Sequence, residues 1–351
     1  MSDLSQPATM TDIARAAGVS KNTVSLALKN DPQIPARTRA RIAGIAAGLG
    51  YRKNATVALL MAELRKNRQA GAHATLALVN AHQDRRAFVR HPTIPAYVEG
   101  CRRRAAQLGY GLDEFWLQDP ALDGAKLNRI LQARGIRGLV VVGLMRENRL
   151  PARFLSTWEA FPCVVTGVRT RDPALSFACA DHHDLTRTAV EQACRLGFKR
   201  PGLVLDGVID DLVDGRFSAG FFIAQRDLPT RQRLRPFYRF ADTRENAAVF
   251  RRWIEDQRPD VILTLYNEVR DWLHALQFHV PRDIGLVQLE WRKSDPRWAG
   301  MNQHNDIAGE AAIEMVIAMI QNGESGIPAF PRSTLIGSTW VDGPSLAVRR
   351  D

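Results

Sequence analysis

From Thr75 onward, short apolar runs alternate with amphipathic stretches of ten or so residues, and this rhythm leaves few folds open. TLALVNA (75–81), LDEFWL (112–117), GLVVVG (138–143), CVVTG (163–167), GLVLDG (202–207), FYRF (237–240), DVILTLY (260–266) and IGLVQLE (284–290) have the length and composition of strands. Helical spacing predicts helices over Tyr97–Leu108, Gly124–Ala133, Leu185–Leu196, Ala219–Gln225, Ala247–Gln257, Val269–Gln277 and Ile307–Gln321. Gly109 and Gly197 stop the first and third of these. Strands separated by helices must return through right-handed crossovers to a parallel sheet. Uniform runs such as Leu139–Val142 fit strands covered on both faces. The series is too long for one sheet, and PGLVLDG near its middle reads as the start of a second.

The 351 residues leave room for a small domain ahead of this core. Charge singles out the same end. Of the formal net charge of +11, residues 1–70 carry +7, with eleven basic and four acidic side chains. An excess of that kind at one end suits a polyanionic partner. The four cysteines, Cys101, Cys163, Cys179 and Cys194, form no CxxC pair, and reduced core thiols in a cytoplasmic protein are expected. MSDLSQPA lacks a signal-peptide pattern, and no long apolar run follows, so no membrane partner is expected.

Residues 9–54 carry the most specific pattern in the chain. Thr9 can cap a helix over Thr11–Ala17 with Asp12 three positions on, and Ile13, Ala14 and Ala17 share one face. Gly18 breaks the period and Ser20 can cap a second helix, whose Val24, Ala27 and Leu28 face inward while Lys21, Asn22 and Ser25 face out. Two helices across a tight glycine turn form a helix-turn-helix. A third helix is predicted from about Pro35, burying Ile42, Ile45, Ala46 and Leu49 and leaving Arg37, Arg39 and Arg41 outside, with Gly50 as its stop.

The run Ala17-Gly18-Val19-Ser20, the triplet Thr23-Val24-Ser25, the pair Thr38-Arg39, and Leu49-Gly50-Tyr51-Arg52 with Asn54 resemble the DNA-binding headpiece of the lactose-repressor (LacI/GalR) family of bacterial transcription regulators. The resemblance implies DNA contacts from Thr9, Ser20, Lys21, Asn22, Thr23, Ser25, Leu26, Arg39, Tyr51 and Asn54. It also implies a hinge helix and linker over 55–73, with Leu60 wedged into the minor groove. This sequence departs from the family at Lys53, where proline is common, at Ala58-Leu59, and at Leu26, which replaces an arginine able to read guanine.

The remaining chain resembles, more weakly, the family's type I periplasmic-binding-protein core, through Gly100–Gly109, Arg134–Val142, Leu196–Arg200, Val280–Ile284 and Gln303–Gly309. The implied architecture is a helix-turn-helix headpiece (1–54) before two doubly wound parallel-sheet lobes within 74–343, ahead of a tail at 344–351. Lobe 1 would take about 74–196 and 306–330, and lobe 2 about 198–302 and 332–343. A small molecule, a sugar or related metabolite, would lie in the cleft between them. Effector contacts are expected from His91, Tyr97, Asp181, Asp184, Arg216, Asn267, Glu290 and Gln303. For Arg216 the family's Arg-x-x-Gly spacing is stretched by one, since Gly220 follows four positions later.

No GxGxxG or P-loop is present, and Cys179-Ala-Asp-His-His-Asp reads as a loop capping the helix at Leu185 rather than a metal site. Neither cofactor nor metal is expected. The function implied is a ligand-controlled transcriptional regulator, a repressor, acting as a homodimer on a near-palindromic operator. The alternative is a cytoplasmic binding protein or enzyme that shares only the core.

Overall fold

The computed structural model describes residues 9–28, 31, 33–49, 74–241 and 247–349. Tyr51, Asn54, Leu60 and the hinge expected over 55–73 lie outside the described residues. Headpiece and core are separate compact units and are taken in turn.

The headpiece has three helices, α1 (Met10–Ala17), α2 (Lys21–Ala27) and α3 (Ala36–Gly48). Thr9 and Asp12 form a reciprocal capping box, in which the Asp12 amide donates to the Thr9 hydroxyl and the Thr9 amide donates to the Asp12 carboxylate at 2.9 Å. The hydrogen bond from the Thr9 hydroxyl is the main cause holding the Asp12 carboxyl below its ordinary range. Gly18 sits at φ 62°, a left-handed conformation that costs glycine little and lets the chain turn between α1 and α2. Ser20 then caps α2, accepting from the Thr23 amide at 3.1 Å. Ile13, Ala14, Ala17, Val24, Ala27, Ile42 and Ala46 make the core. Leu49, expected inside, is 42% exposed, because α3 ends at Gly48 and its apolar stripe ends with it.

The core begins with β1 (Ala74–Asn80), α4 (Ala87–Arg90), α5 (Ile94–Gln107), β2 (Tyr110–Trp116), α6 (Gly124–Ala133), β3 (Leu139–Val142), α7 (Leu155–Ala160), β4 (Cys163–Thr166) and β5 (Ser176–Ala180). Next come α8 (His182–Arg195), β6 (Pro201–Val204), α9 (Gly207–Leu212), α10 (Arg216–Gln225), α11 (Ala248–Gln257), β7 (Val261–Thr264), α12 (Glu268–Ala275), β8 (Gly285–Gln288) and β9 (Ala299–Asn302). The chain closes with α13 (Asn305–Gln321), β10 (Ser333–Ile336) and β11 (Thr339–Val341).

Two sheets result, ordered β10-β5-β4-β3-β1-β2 and β11-β9-β8-β7-β6. All pairings are parallel except β11 with β9. The fold is thus an α/β core of two doubly wound lobes behind an all-α headpiece. The chain crosses between sheets after β5, after β9 and between β10 and β11.

The last crossing corrects the boundary expected at 332. Ser333–Ile336 pairs with Phe177–Ala180 in the first lobe, and only Thr339–Val341 joins the second. Its alternation of exposed and partly exposed residues marks β10 as an edge strand without the buried run that identified the others. FYRF, expected as a strand, makes only isolated bridges, Phe237 to Val204 and Arg239 to Asp206.

Among the helices on the first sheet, α5 and α13 meet unusually closely. A Cβ on Gly309 would stand 2.2 Å from the Tyr97 carbonyl oxygen, and one on Gly100 would overlap the Asp306 backbone. Glycine at both points lets the two backbones touch, which fixes the start of α5.

Candidate functional sites: an exposed helix start and an interlobe cavity

In the headpiece, the first turn of α2 is open. Lys21 and Asn22 are exposed, while Thr23, Ser25 and Leu26 are partly exposed. The Ser20 and Thr23 hydroxyls are 2.8 Å apart and already engaged with one another. Arg39 turns back on its own domain, donating from Nη1 to the Ile34 carbonyl at 2.8 Å and the Asp31 carbonyl at 3.2 Å. It therefore ties down the approach to α3. The open helix start offers donors and acceptors at a positively charged helix end, where base edges and phosphates can be met.

In the core, a cavity of about 500 Å³ opens where the carboxyl ends of both sheets converge. Its lining from the first lobe follows β1 (His91, Thr93, Tyr97), β3 (Leu144, Met145), β4 (Gly167, Val168) and β5 (His182). From the second lobe it follows β6 (Ile209, Leu212, Val213, Phe217), β7 (Leu265, Tyr266, Asn267, Glu268), β8 (Glu290, Arg292) and β9 (Gln303). Parallel sheets leave their loops at this edge, which is why the fold makes its site here.

A polar network joins the lobes at one end. The Glu290 carboxylate accepts from the Thr93 hydroxyl at 3.1 Å, from Arg292 Nη2 at 2.6 Å and from Asn305 Nδ2 at 3.2 Å. Burial raises the Glu290 pKa, while Arg292 and the Thr93 hydrogen bond oppose that rise. Asn267 Oδ1 accepts from Gln288 at 2.9 Å, and Gln303 donates to the Leu289 carbonyl at 2.8 Å.

His91 Nδ1 accepts from the Thr93 and Ile94 amides, at 3.1 and 3.3 Å, and so caps α5. Burial, with His82 and Arg292 nearby, brings the His91 pKa down to about 4, so its imidazole is neutral at pH 7. Tyr97 is buried, and burial holds its phenol well above the ordinary value and hence protonated.

The structure gathers His91, Tyr97, Asn267, Glu290 and Gln303 around this cavity. Asp181, Asp184 and Arg216 do not line it, although the Arg216 guanidinium lies close enough to Tyr97 and His182 to act on both. Asp181 caps α8, accepting from the Asp184 amide at 3.2 Å, and Asp184 pairs with Arg187 at 2.5 Å. Arg216 donates to the Val213 carbonyl at 2.8 Å and to Cys179 Sγ at 3.1 Å. Its neighbour Phe217, one residue or about 100° further round the helix, takes the lining position.

His182, Thr93, Phe217 and Arg292 were not foreseen. The first of these had a usable signal: it opens a helix directly after a fully buried strand, where a parallel sheet presents its site. Its ring lies 4.6 Å from that of Phe217, its Nδ1 has no hydrogen-bond partner, and burial takes its pKa down to about 3. Among the described residues no group of three His, Cys, Asp or Glu could hold a metal ion, and no helix is long and apolar enough to cross a membrane.

Comparison with known proteins gives these two surfaces a context. Residues 9–54 match the family model "Bacterial regulatory proteins, lacI family". The HTH-type transcriptional regulator MalR of Streptococcus pneumoniae is 24% identical over 194 residues, 55% of this chain and 56% of MalR. The chain thus spans about half the length of the curated relatives it matches.

Several solved structures share the fold. The CelR–cellobiose complex superposes with a TM-score of 0.56 at 17% identity, covering 96% of this chain and 99% of CelR. A lac repressor dimer bound to operator and the anti-inducer ONPF gives 0.55 at 18%, covering 97% and 100%. A LacI-family protein from Rhizobium etli gives 0.60 at 15%, covering 79% and 100%. Residues 9–54 thus carry the headpiece that the lacI family of bacterial regulatory proteins shares.

Proposed function

We propose that this chain is a sequence-specific DNA-binding transcription regulator, a repressor, whose operator affinity is set by a small molecule in the interlobe cavity. The observation that carries the reading is the lacI-family match over 9–54, together with the exposed Lys21 and Asn22 at the start of α2. A protein with this headpiece contacts few base pairs alone, so a two-fold pair on a near-palindromic site is the working form. Leu60, outside the described residues, is the side chain assigned to the minor groove. A sugar or related metabolite as effector is supported by the polar group Asn267, Glu290 and Gln303 and by the cellobiose and ONPF bound to the two neighbours above.

On this reading the chain catalyses no reaction and works in the cytoplasm, where its operator is. Selection of random duplex DNA by the full chain is the test, followed by mobility shifts with and without a panel of sugars. Enrichment of an inverted repeat, with a retarded complex that a panel member strengthens or releases, is expected. Recovery of unselected sequence would instead favour a binding protein or enzyme that shares the core.

A further inference from the structure

The cavity is not uniform across its width. Its β6 side, with Leu212, Val213 and Phe217 facing Leu144 and Val168, is apolar; its β7 to β9 side carries Asn267, Glu290 and Gln303. β6 is the edge strand and β8 lies two strands further in, so the ends are roughly 10 Å apart at the usual strand spacing of about 4.8 Å.

Among the lining residues at the apolar end, one buried polar atom has no partner. His182 is 4% exposed, lines the cavity, packs its ring 4.6 Å from that of Phe217, and leaves Nδ1 unbonded. Buried polar atoms are rarely left so, because desolvation is then uncompensated. A ligand atom in hydrogen-bonding reach would satisfy it.

Charge narrows the class further. Among the described residues lining the cavity Arg292 is the one arginine or lysine, and it is already held by Glu290 at 2.6 Å. Both lining imidazoles are neutral at pH 7, with pKa values brought down to about 4 and about 3, and Glu268 adds a second carboxylate. None of the lining residues is free to neutralise a phosphate or carboxylate, and an anionic ligand serves to test the Arg216 guanidinium beside His182 and Tyr97.

We propose that the cavity takes an uncharged ligand of two joined parts: a flat ring lying against Phe217 with an in-plane polar atom on His182 Nδ1, and a hydroxyl-bearing part reaching Asn267, Glu290 and Gln303. This rests on reading the cavity as the effector site. Nucleosides and aryl glycosides share the required chemistry, and the experiment separates them.

Calorimetric titration of the full chain uses adenosine, cytidine and the 4-nitrophenyl β-D-glucoside and galactoside. The ringless counterparts are ribose and the two methyl β-D-glycosides, with glucose 6-phosphate as the anionic arm. At least one ring-bearing compound binds tenfold or more tightly than its ringless counterpart, and its chemistry names the source. Phe217→Leu and His182→Phe each weaken that compound at least fivefold, and weaken it more than its ringless counterpart.

Several results would overturn the proposal: ringless sugars binding as tightly, glucose 6-phosphate binding tightest, no ring-bearing compound binding, or both variants retaining full affinity. The wild-type comparison decides even where a variant fails to fold. A ringless sugar that binds and shifts operator affinity would remove this proposal and leave the regulator reading intact. Absence of any DNA binding would remove that reading whatever the titrations give.

Discussion

His182 gives the core a calculable sensitivity to acid. Its imidazole is buried, and its pKa falls from 6.5 to about 3, first through burial and then through the nearby Arg216 guanidinium. In the unfolded chain the ring regains its ordinary value and binds a proton below it. A base whose folded pKa is depressed leaves stability untouched above the unfolded pKa, and stability is then lost as pH falls toward the folded one. Each pH unit in that window costs about 1.4 kcal/mol, so from pH 7 to pH 5 His182 alone removes about 2 kcal/mol. For a core of this size that corresponds to a melting temperature lower by roughly 4–8 °C. His182→Phe keeps the ring contact with Phe217 and removes the titration. Urea unfolding of both proteins at pH 7 and pH 5 isolates the effect, since all other groups contribute equally to each. The wild type should lose about 2 kcal/mol more than the variant over this interval. Equal losses would show that His182 is solvated or partnered in the folded chain, and the reasoning would fail.

Three further outcomes are expected. Glu290→Gln leaves Arg292 without its counter-charge. Because the Arg292 side chain keeps 29% exposure, the loss should be about 1–2 kcal/mol rather than the roughly 3–5 kcal/mol of a fully buried pair, and Glu290→Gln/Arg292→Met should regain at least half; additive losses in thermal melts would contradict the pairing. Gly309→Ala pushes a methyl group to 2.2 Å from the Tyr97 carbonyl, so about 1–3 kcal/mol of stability should go, together with effector affinity; an unchanged melting temperature would mean that α5 and α13 separate freely. In the headpiece, Leu26→Arg should create a guanine preference worth about 1–3 kcal/mol at one operator position, read by selection from random DNA, and an unaltered consensus would place Leu26 away from the bases.

The ease with which each element could be read from sequence follows its burial. Leu139–Val142, Pro201–Val204, Val261–Thr264 and Gly285–Gln288 are covered on both faces, and their uninterrupted apolar runs announced them. Ser333–Ile336 and Thr339–Val341 are edge strands, and β9, AGMN, is buried yet has little apolar bulk. Pairing partners far away in sequence make these segments strands. At the cavity, Tyr97 and Gln303 could be named because the family pattern marks their positions. Phe217 could not, because whether it or Arg216 faces inward depends on how α10 is rotated against α8. Thr93 and Arg292 become neighbours only when the lobes meet, at 3.2 Å across 199 residues.

The late return of the chain to its first sheet also sets an order of assembly during synthesis. β1 to β5 leave the ribosome before α13 and β10 exist, so Leu76, Leu78 and Val140 await Ala312, Ile313 and Val316, and the outer edge of β5 stays open. At about 5–20 residues per second, translating residues 181–336 takes roughly 8–30 s. Over that interval β6 to β9 emerge as an unbroken stretch and pair among themselves. The lobe begun first therefore waits through most of the second before α13 and β10 complete it. Until then its apolar face and the edge of β5 stay uncovered, the kind of surface on which a nascent chain can associate wrongly.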